Sequence, residues 1–132
     1  GLSATGLILG TPEYMAPEQV AGKKADERAD IYSFGIILYE LFTGKVPFTG
    51  DTAIAVGFQQ MREEPPPPRG INPQISTELE RIILKALKKN PYDRYSSVSE
   101  MRTDLERAFQ SSTSVVQQPA KAVRNRSEVE IE

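Results

Sequence analysis

ADIYSFGIILYELFT, residues 29–43, is the stretch that decides the fold. Its residues are apolar on nearly every side, interrupted mainly by Asp30, Ser33 and Glu40. A helix that is apolar all round belongs in the middle of a domain rather than on its surface. Crossing a bilayer takes roughly 20 such residues, so the run reads as a buried central helix and not a membrane span. Gly44 suits the position just past a helix end, and Pro47 blocks any continuation.

Working outward, residues 52–63 (TAIAVGFQQMRE) read as a weaker amphipathic helix with Ile54, Phe58 and Met61 on one face. Residues 64–75 hold Pro65, Pro66, Pro67, Pro68 and Pro73, which argues against both helix and central strand. The next stretch, 77–89, has the cleanest period. Leu79, Ile82, Ile83, Ala86 and Leu87 share one face, and Thr77 with Glu80 forms a capping-box pattern. A turn follows at 90–96. Val98, Met101, Leu105 and Phe109 then mark a last helix over 97–109, with Ser97 and Glu100 as a second capping box. Toward the N-terminus, Gly1, Gly6, Gly10, Pro12, Pro17 and Gly22 break up residues 1–22. Beyond residue 110 the periodicity dissolves, so 111–132 reads as a linker or disordered tail behind a domain of residues 1–110. The expected fold class is mainly α, about four helices with long structured loops and no sheet of its own.

Bulk properties narrow the chemistry. The chain has 132 residues, 39% hydrophobic and 26% charged, with a net charge of −2. Its pI is about 5.3, which offers no basic field for nucleic acid. There is no cysteine, which excludes disulfides, thiolate metal sites and a cysteine nucleophile. The absence of histidine removes Ser-His-Asp triads, His-Glu-x-x-His metal sites and any imidazole base. No metal site is expected. The opening Gly1-Leu2-Ser3-Ala4 has neither a methionine nor a signal-like run, and reads as a cut edge.

Against this background, Gly10-Thr11-Pro12-Glu13-Tyr14-Met15-Ala16-Pro17-Glu18 resembles the end of a protein kinase activation segment, with its Ala-Pro-Glu motif. Asp30-Ile31-Tyr32-Ser33-Phe34-Gly35 is similar to the start of the kinase F helix. Gly44-Lys45-Val46-Pro47-Phe48 is similar to the loop after it, and Asn90-Pro91-Tyr92-Asp93-Arg94-Tyr95 to the turn between the last two helices. The motifs stand in family order over roughly residues 1–109. Gly10-Thr11 resembles the serine/threonine class, and Pro17-Glu18-Gln19 with Ala25-Asp26-Glu27-Arg28-Ala29-Asp30 resembles bacterial kinases of eukaryotic type. The chain is thus similar to the C-terminal lobe of a eukaryotic-like (Hanks-type) serine/threonine kinase domain.

The resemblance implies roles for particular residues. Glu18 and Arg94 would form a buried ion pair through two parallel hydrogen bonds, the alternative being two solvated surface charges. Asp30 would receive backbone N–H groups of the catalytic loop, or interact as a helix N-terminal charge with the macrodipole. Gly35 belongs to the F-helix motif, and Ile37 and Leu41 match positions on which the hydrophobic spine rests, otherwise plain core packing. Thr11 would be a catalytic accessory rather than a nucleophile. Ile8, Pro12 and Met15 would line the pocket for the residue after the phosphorylated one. Glu40 would contact basic substrate residues or serve structurally. Thr5, with Ser3 as a second candidate, would be an autophosphorylation site; a loop rich in Ser, Thr and Gly is the plain alternative.

The parts that move phosphate are missing from these residues. No Gly-x-Gly-x-x-Gly, His-Arg-Asp or Asp-Phe-Gly motif occurs, and Ser33-Phe34-Gly35 is only an echo inside the F-helix match. The intact parent would use ATP and Mg2+, while this chain alone would bind neither. Implied partners are protein substrates carrying Ser or Thr, the N-terminal half of the domain and a second copy in a kinase homodimer. The implied location is the cytoplasm, including the cytoplasmic part of a membrane-anchored receptor kinase. A non-catalytic docking module is the competing reading, and Pro65–Pro68 with Arg69 as an SH3-type ligand a third. A chain of this kind is also expected to expose apolar surface and to be marginally stable.

Overall fold

The computed structural model describes residues 11–111, and among them every regular element is helical, with no strand. A 3-10 turn at Pro12–Tyr14 leads into α1 (Pro17–Val20), α2 (Glu27–Thr43) and α3 (Ala53–Arg62). Then come α4 (Pro68–Ile71), α5 (Thr77–Ala86), a second 3-10 turn at Pro91–Asp93 and α6 (Val98–Ser111). The four longer helices fall where the apolar periods put them. Residues 1–10 and 112–132 lie outside the described residues, and of the expected tail only Ser111 is described, as the last residue of α6.

Helix α2 starts earlier than its apolar run because Asp26 caps it, accepting from the Arg28 N–H at 2.8 Å. Asp30 therefore lies within the first turn, exposed, rather than at the opening of the helix. At the other end Gly44 takes the left-handed conformation (φ 85°), and its N–H closes on the Glu40 carbonyl at 2.8 Å. Ala29, Ile31, Tyr32, Gly35, Ile36, Leu38 and Tyr39 are buried. They pack chiefly on Leu79, Ile82, Ile83 and Ala86 of α5, with Met101 and Ala108 of α6 closing the core.

The contact between α2 and α5 depends on Gly35. A Cβ there would sit 2.8 Å from the Ala86 Cβ and 3.0 Å from Leu87 Cδ2, closer than packed carbons allow. Removing the side chain is what lets the two helices lie this near each other.

Several local expectations are corrected. Helix α2 is not buried on every side: Phe34, Ile37 and Leu41 are 43, 48 and 69% exposed, along the stripe that also carries Asp30. No described element covers that stripe. On α3 the buried face is Val56, Gly57 and Gln60, while Ile54 and Phe58 point outward. Gly57 lets Val20 of α1 close in, and the Gln60 amide satisfies loop carbonyls, so this small and polar face outcompetes the apolar one.

The proline run does contain a helical turn, α4, with Pro68 at its first position. Proline is suited there because its missing N–H would be unpaired anyway. Helix α5 is capped by Ser76, one residue before the expected Thr77; its Oγ accepts from the Leu79 N–H at 3.0 Å. Glu80 accepts instead from the Arg69 N–H at 2.9 Å, which ties α4 to α5. At α6, Ser97 Oγ accepts from the Glu100 N–H, while Glu100 reaches the N–H and hydroxyl of Ser96.

Candidate functional site

The Arg94 guanidinium is the most heavily bonded group among the described residues. Nη1 and Nη2 donate to Glu18 Oε2 and Oε1, each at 2.8 Å. The remaining donors go to carbonyls: Nε to Lys88 at 2.7 Å, Nη1 to Arg28 at 2.8 Å and Nη2 to Lys89 at 3.1 Å. All five N–H groups of the fork are thereby used. The Arg94 side chain is 0% exposed and that of Glu18 10%. Burial alone pushes the Glu18 carboxyl upward, but the Arg94 hydrogen bonds, a backbone hydrogen bond and the adjacent positive charge outweigh it and hold it below the usual range. The pair joins α1, the start of α2 and the turn before α6, which are far apart in sequence.

The loop from Thr11 to Ala16 runs beside this clamp and is held from several sides. Its 3-10 turn closes through Tyr14 N–H to the Thr11 carbonyl at 3.1 Å and Met15 N–H to the Pro12 carbonyl at 3.2 Å. Gln60 Nε2 donates to the carbonyls of Pro12 (3.1 Å) and Glu13 (2.9 Å), and its Oε1 accepts from the Tyr32 hydroxyl at 2.5 Å. Burial pushes the Tyr32 hydroxyl pKa up, so it stays a donor. Ser33 Oγ donates to the Tyr14 carbonyl at 2.5 Å, and the Tyr14 hydroxyl donates to Glu40 Oε1. That bond raises the Tyr14 pKa, with burial adding to it. Glu13 Oε1 is buried and has no hydrogen-bond partner among the described residues.

Of the residues singled out from sequence, Glu18 with Arg94, and Gly35 with the α5 contact, are brought into the packed interior. Met15 is buried, Pro12 half-buried and Thr11 exposed. Asp30, Ile37 and Leu41 share the open stripe of α2, and among the described residues none of them reaches the Glu18–Arg94 pair. Glu40 is engaged by Tyr14. Ile8, Thr5 and Ser3 lie outside the described residues. Gln60, Ser33 and the Tyr14–Glu40 pair were not singled out as holding the loop. Gln60 was hidden because a polar residue within an amphipathic helix reads as its solvent face.

Among the described residues no group of three or more His, Cys, Asp or Glu is arranged to hold a metal ion. No helix among them is long and apolar enough to cross a membrane.

Comparison with known proteins bears on this geometry. The model of the protein kinase domain matches residues 3–106. "Serine/threonine-protein kinase PknB" of Mycobacterium tuberculosis (strain ATCC 25618 / H37Rv) is 45% identical over 106 residues, covering 80% of this chain and 17% of the relative. The "Probable serine/threonine-protein kinase SCO3848" of Streptomyces coelicolor is 47% identical over 105 residues, 80% of this chain and 16% of the relative. "Serine/threonine-protein kinase pkn3" of Myxococcus xanthus is 46% identical over 107 residues, 80% and 20% respectively. The chain thus spans about a fifth or less of the length of these relatives.

Proposed function

This chain belongs to the protein kinase family, as part of the helical C-terminal lobe of a eukaryotic-type serine/threonine kinase domain, and on that premise we propose that it is the substrate-facing platform of a parent that phosphorylates Ser or Thr on proteins. The parent uses ATP and Mg2+, which the upstream half of the domain holds. This chain neither binds the nucleotide nor transfers phosphate by itself.

One observation carries the reading: a loop held rigidly at Thr11–Ala16 stands next to an α2 whose outer stripe, Asp30, Phe34, Ile37 and Leu41, is left bare. A held loop is what substrate positioning requires. A bare apolar stripe needs a covering element, and the catalytic loop of the upstream half supplies it, with Asp30 accepting its backbone N–H groups. On the platform, Thr11 is an accessory that orients the catalytic groups. Ile8, Pro12 and Met15 face the substrate residue after the phosphorylated one, and Glu40 faces basic substrate side chains when Tyr14 releases it. Thr5 and Ser3 are the autophosphorylation sites, and a second copy of the kinase the partner that modifies them.

The test is phosphate transfer from labelled Mg-ATP to a serine peptide. The purified chain of residues 1–132 is expected to show none, and the longer parent is expected to be active. Transfer by the chain alone would overturn the division of labour, and an inactive parent would favour a docking module.

A further inference from the structure

A recess of about 400 Å³ opens between α1, the connection to α2 and the Pro91–Asp93 turn. Lys23, Lys24, Arg28 and Lys89 line it, against two carboxylates, Glu18 and Asp26. Both carboxylates already have arginine partners: Glu18 binds Arg94 at 2.8 Å and Asp26 binds Arg28 at 3.1 Å. Lys23 and Lys24 are exposed, while Lys89 is half-buried. Its Nζ donates to two neutral oxygens, the Tyr32 hydroxyl and the Gln59 carbonyl, each at 3.3 Å, and among the described residues it makes no ion pair. Burial pushes the Lys89 pKa down to about 8; Glu64 and Glu63 oppose that fall from the end of α3, and Arg94 adds to it. The chain as a whole carries a net charge of −2, so this excess of cations is not the average of its surface.

The wall beside the cations is apolar. Met61, Pro91 and the well-exposed ring of Tyr92 form it, and Tyr92 lies 5.0 Å from the Arg28 guanidinium. A phosphoryl group brings a charge near −2 and three acceptor oxygens, which matches several spread-out ammonium donors better than a single carboxylate does. The recess is also larger than one phosphate needs, and the apolar wall gives peptide atoms next to it something to cover.

We propose that this recess binds a phosphoryl group carried on the serine or threonine side chain of a protein segment. The proposal rests on the lining of the recess and stands whether or not the parent is an active kinase.

It is tested on the full 132-residue chain by fluorescence anisotropy, with a short labelled alanine peptide carrying one phosphoserine, its unphosphorylated twin and inorganic phosphate as competitor. The phosphopeptide is expected to bind at least about tenfold more tightly than its twin. Lys23→Glu with Lys24→Glu, both at exposed positions, is expected to abolish that difference. Arg102→Glu, on the exposed face of α6 outside the recess, is expected to leave it unchanged. Equal binding of the two peptides would overturn the proposal, and so would an equal loss in the Arg102 variant, which would mark non-specific attraction. Competition by inorganic phosphate at the same concentration as the peptide itself would assign the recess to a free anion and overturn the protein-segment part.

Discussion

The two faces of α2 behave as if they belonged to different helices. On the inner face, Tyr32, Gly35, Ile36 and Tyr39 are sealed against α5 and neighbouring loops, so tightly that Gly35 has no room for one carbon. On the outer face, Phe34, Ile37 and Leu41 are just as apolar but lie open. Composition cannot tell the faces apart. What separates them is whether polar anchors fasten other elements over the apolar surface. The inner side has the Glu18–Arg94 clamp and the Gln60 amide; among the described residues the outer side has no such anchor.

The strongest way to break the comparison is to open the sealed side at its anchor. Arg94→Met leaves the buried Glu18 carboxylate without its partner and removes one donor from each of three carbonyls, and should destabilise the chain by about 3–5 kcal/mol, read from urea unfolding. Arg94→Lys should rescue little, since an ammonium cannot reproduce a five-donor planar fork. A variant within error of the parent chain would show that the clamp does not hold the lobe together. Acid attacks the same contact from the other partner. Glu18 has a folded pKa below its unfolded value, so its contribution is present at neutral pH and disappears as the pH falls through the depressed folded pKa. Stability should drop along that acid limb, and Glu18→Gln should flatten it; an unchanged limb would assign it to other carboxylates.

A smaller effect is expected at Gly35. Gly35→Ala puts a methyl 2.8 Å from the Ala86 Cβ, and α2 and α5 must separate to take it. The expected loss is about 1–3 kcal/mol. Pairing it with Ala86→Gly removes the closer of the two contacts, leaving Leu87, and should recover part of that loss, measured by the same unfolding curves. A neutral Gly35→Ala would mean that the helices are less tightly seated than their spacing implies.

The sealed face was largely legible in the sequence and the open one was not. Leu79, Ile82, Ile83 and Ala86 announce the buried stripe of α5 by their period alone, and Gly44 marks the end of α2 by its position. Glu18 and Arg94 were visible only through resemblance, because no local period links residues so far apart in the chain. The α3 face was misread because Ile54 and Phe58 are more hydrophobic than Val56, Gly57 and Gln60, and periodicity assigns the buried side by hydrophobicity. Close approach and carbonyl satisfaction decided it instead. The Pro68 turn was missed for a similar reason: the rule against proline in helices does not apply at the first position.

The outer face gives the smallest expected change in stability and the most direct test of the contrast. Phe34→Ser with Leu41→Ser replaces side chains that are already largely in solvent, so within this chain stability should shift by no more than about 0.5 kcal/mol per site. Self-association should fall, because contiguous exposed apolar surface is what drives it; light scattering against concentration would read this. On the proposed reading, in which the upstream half covers the stripe, the same pair of changes should destabilise the domain in the longer parent. If the changes cost the isolated chain as much as they cost the parent, the stripe is covered within this chain and the two faces of α2 are not different after all. If they cost neither, the stripe is a true surface and the upstream half seats elsewhere.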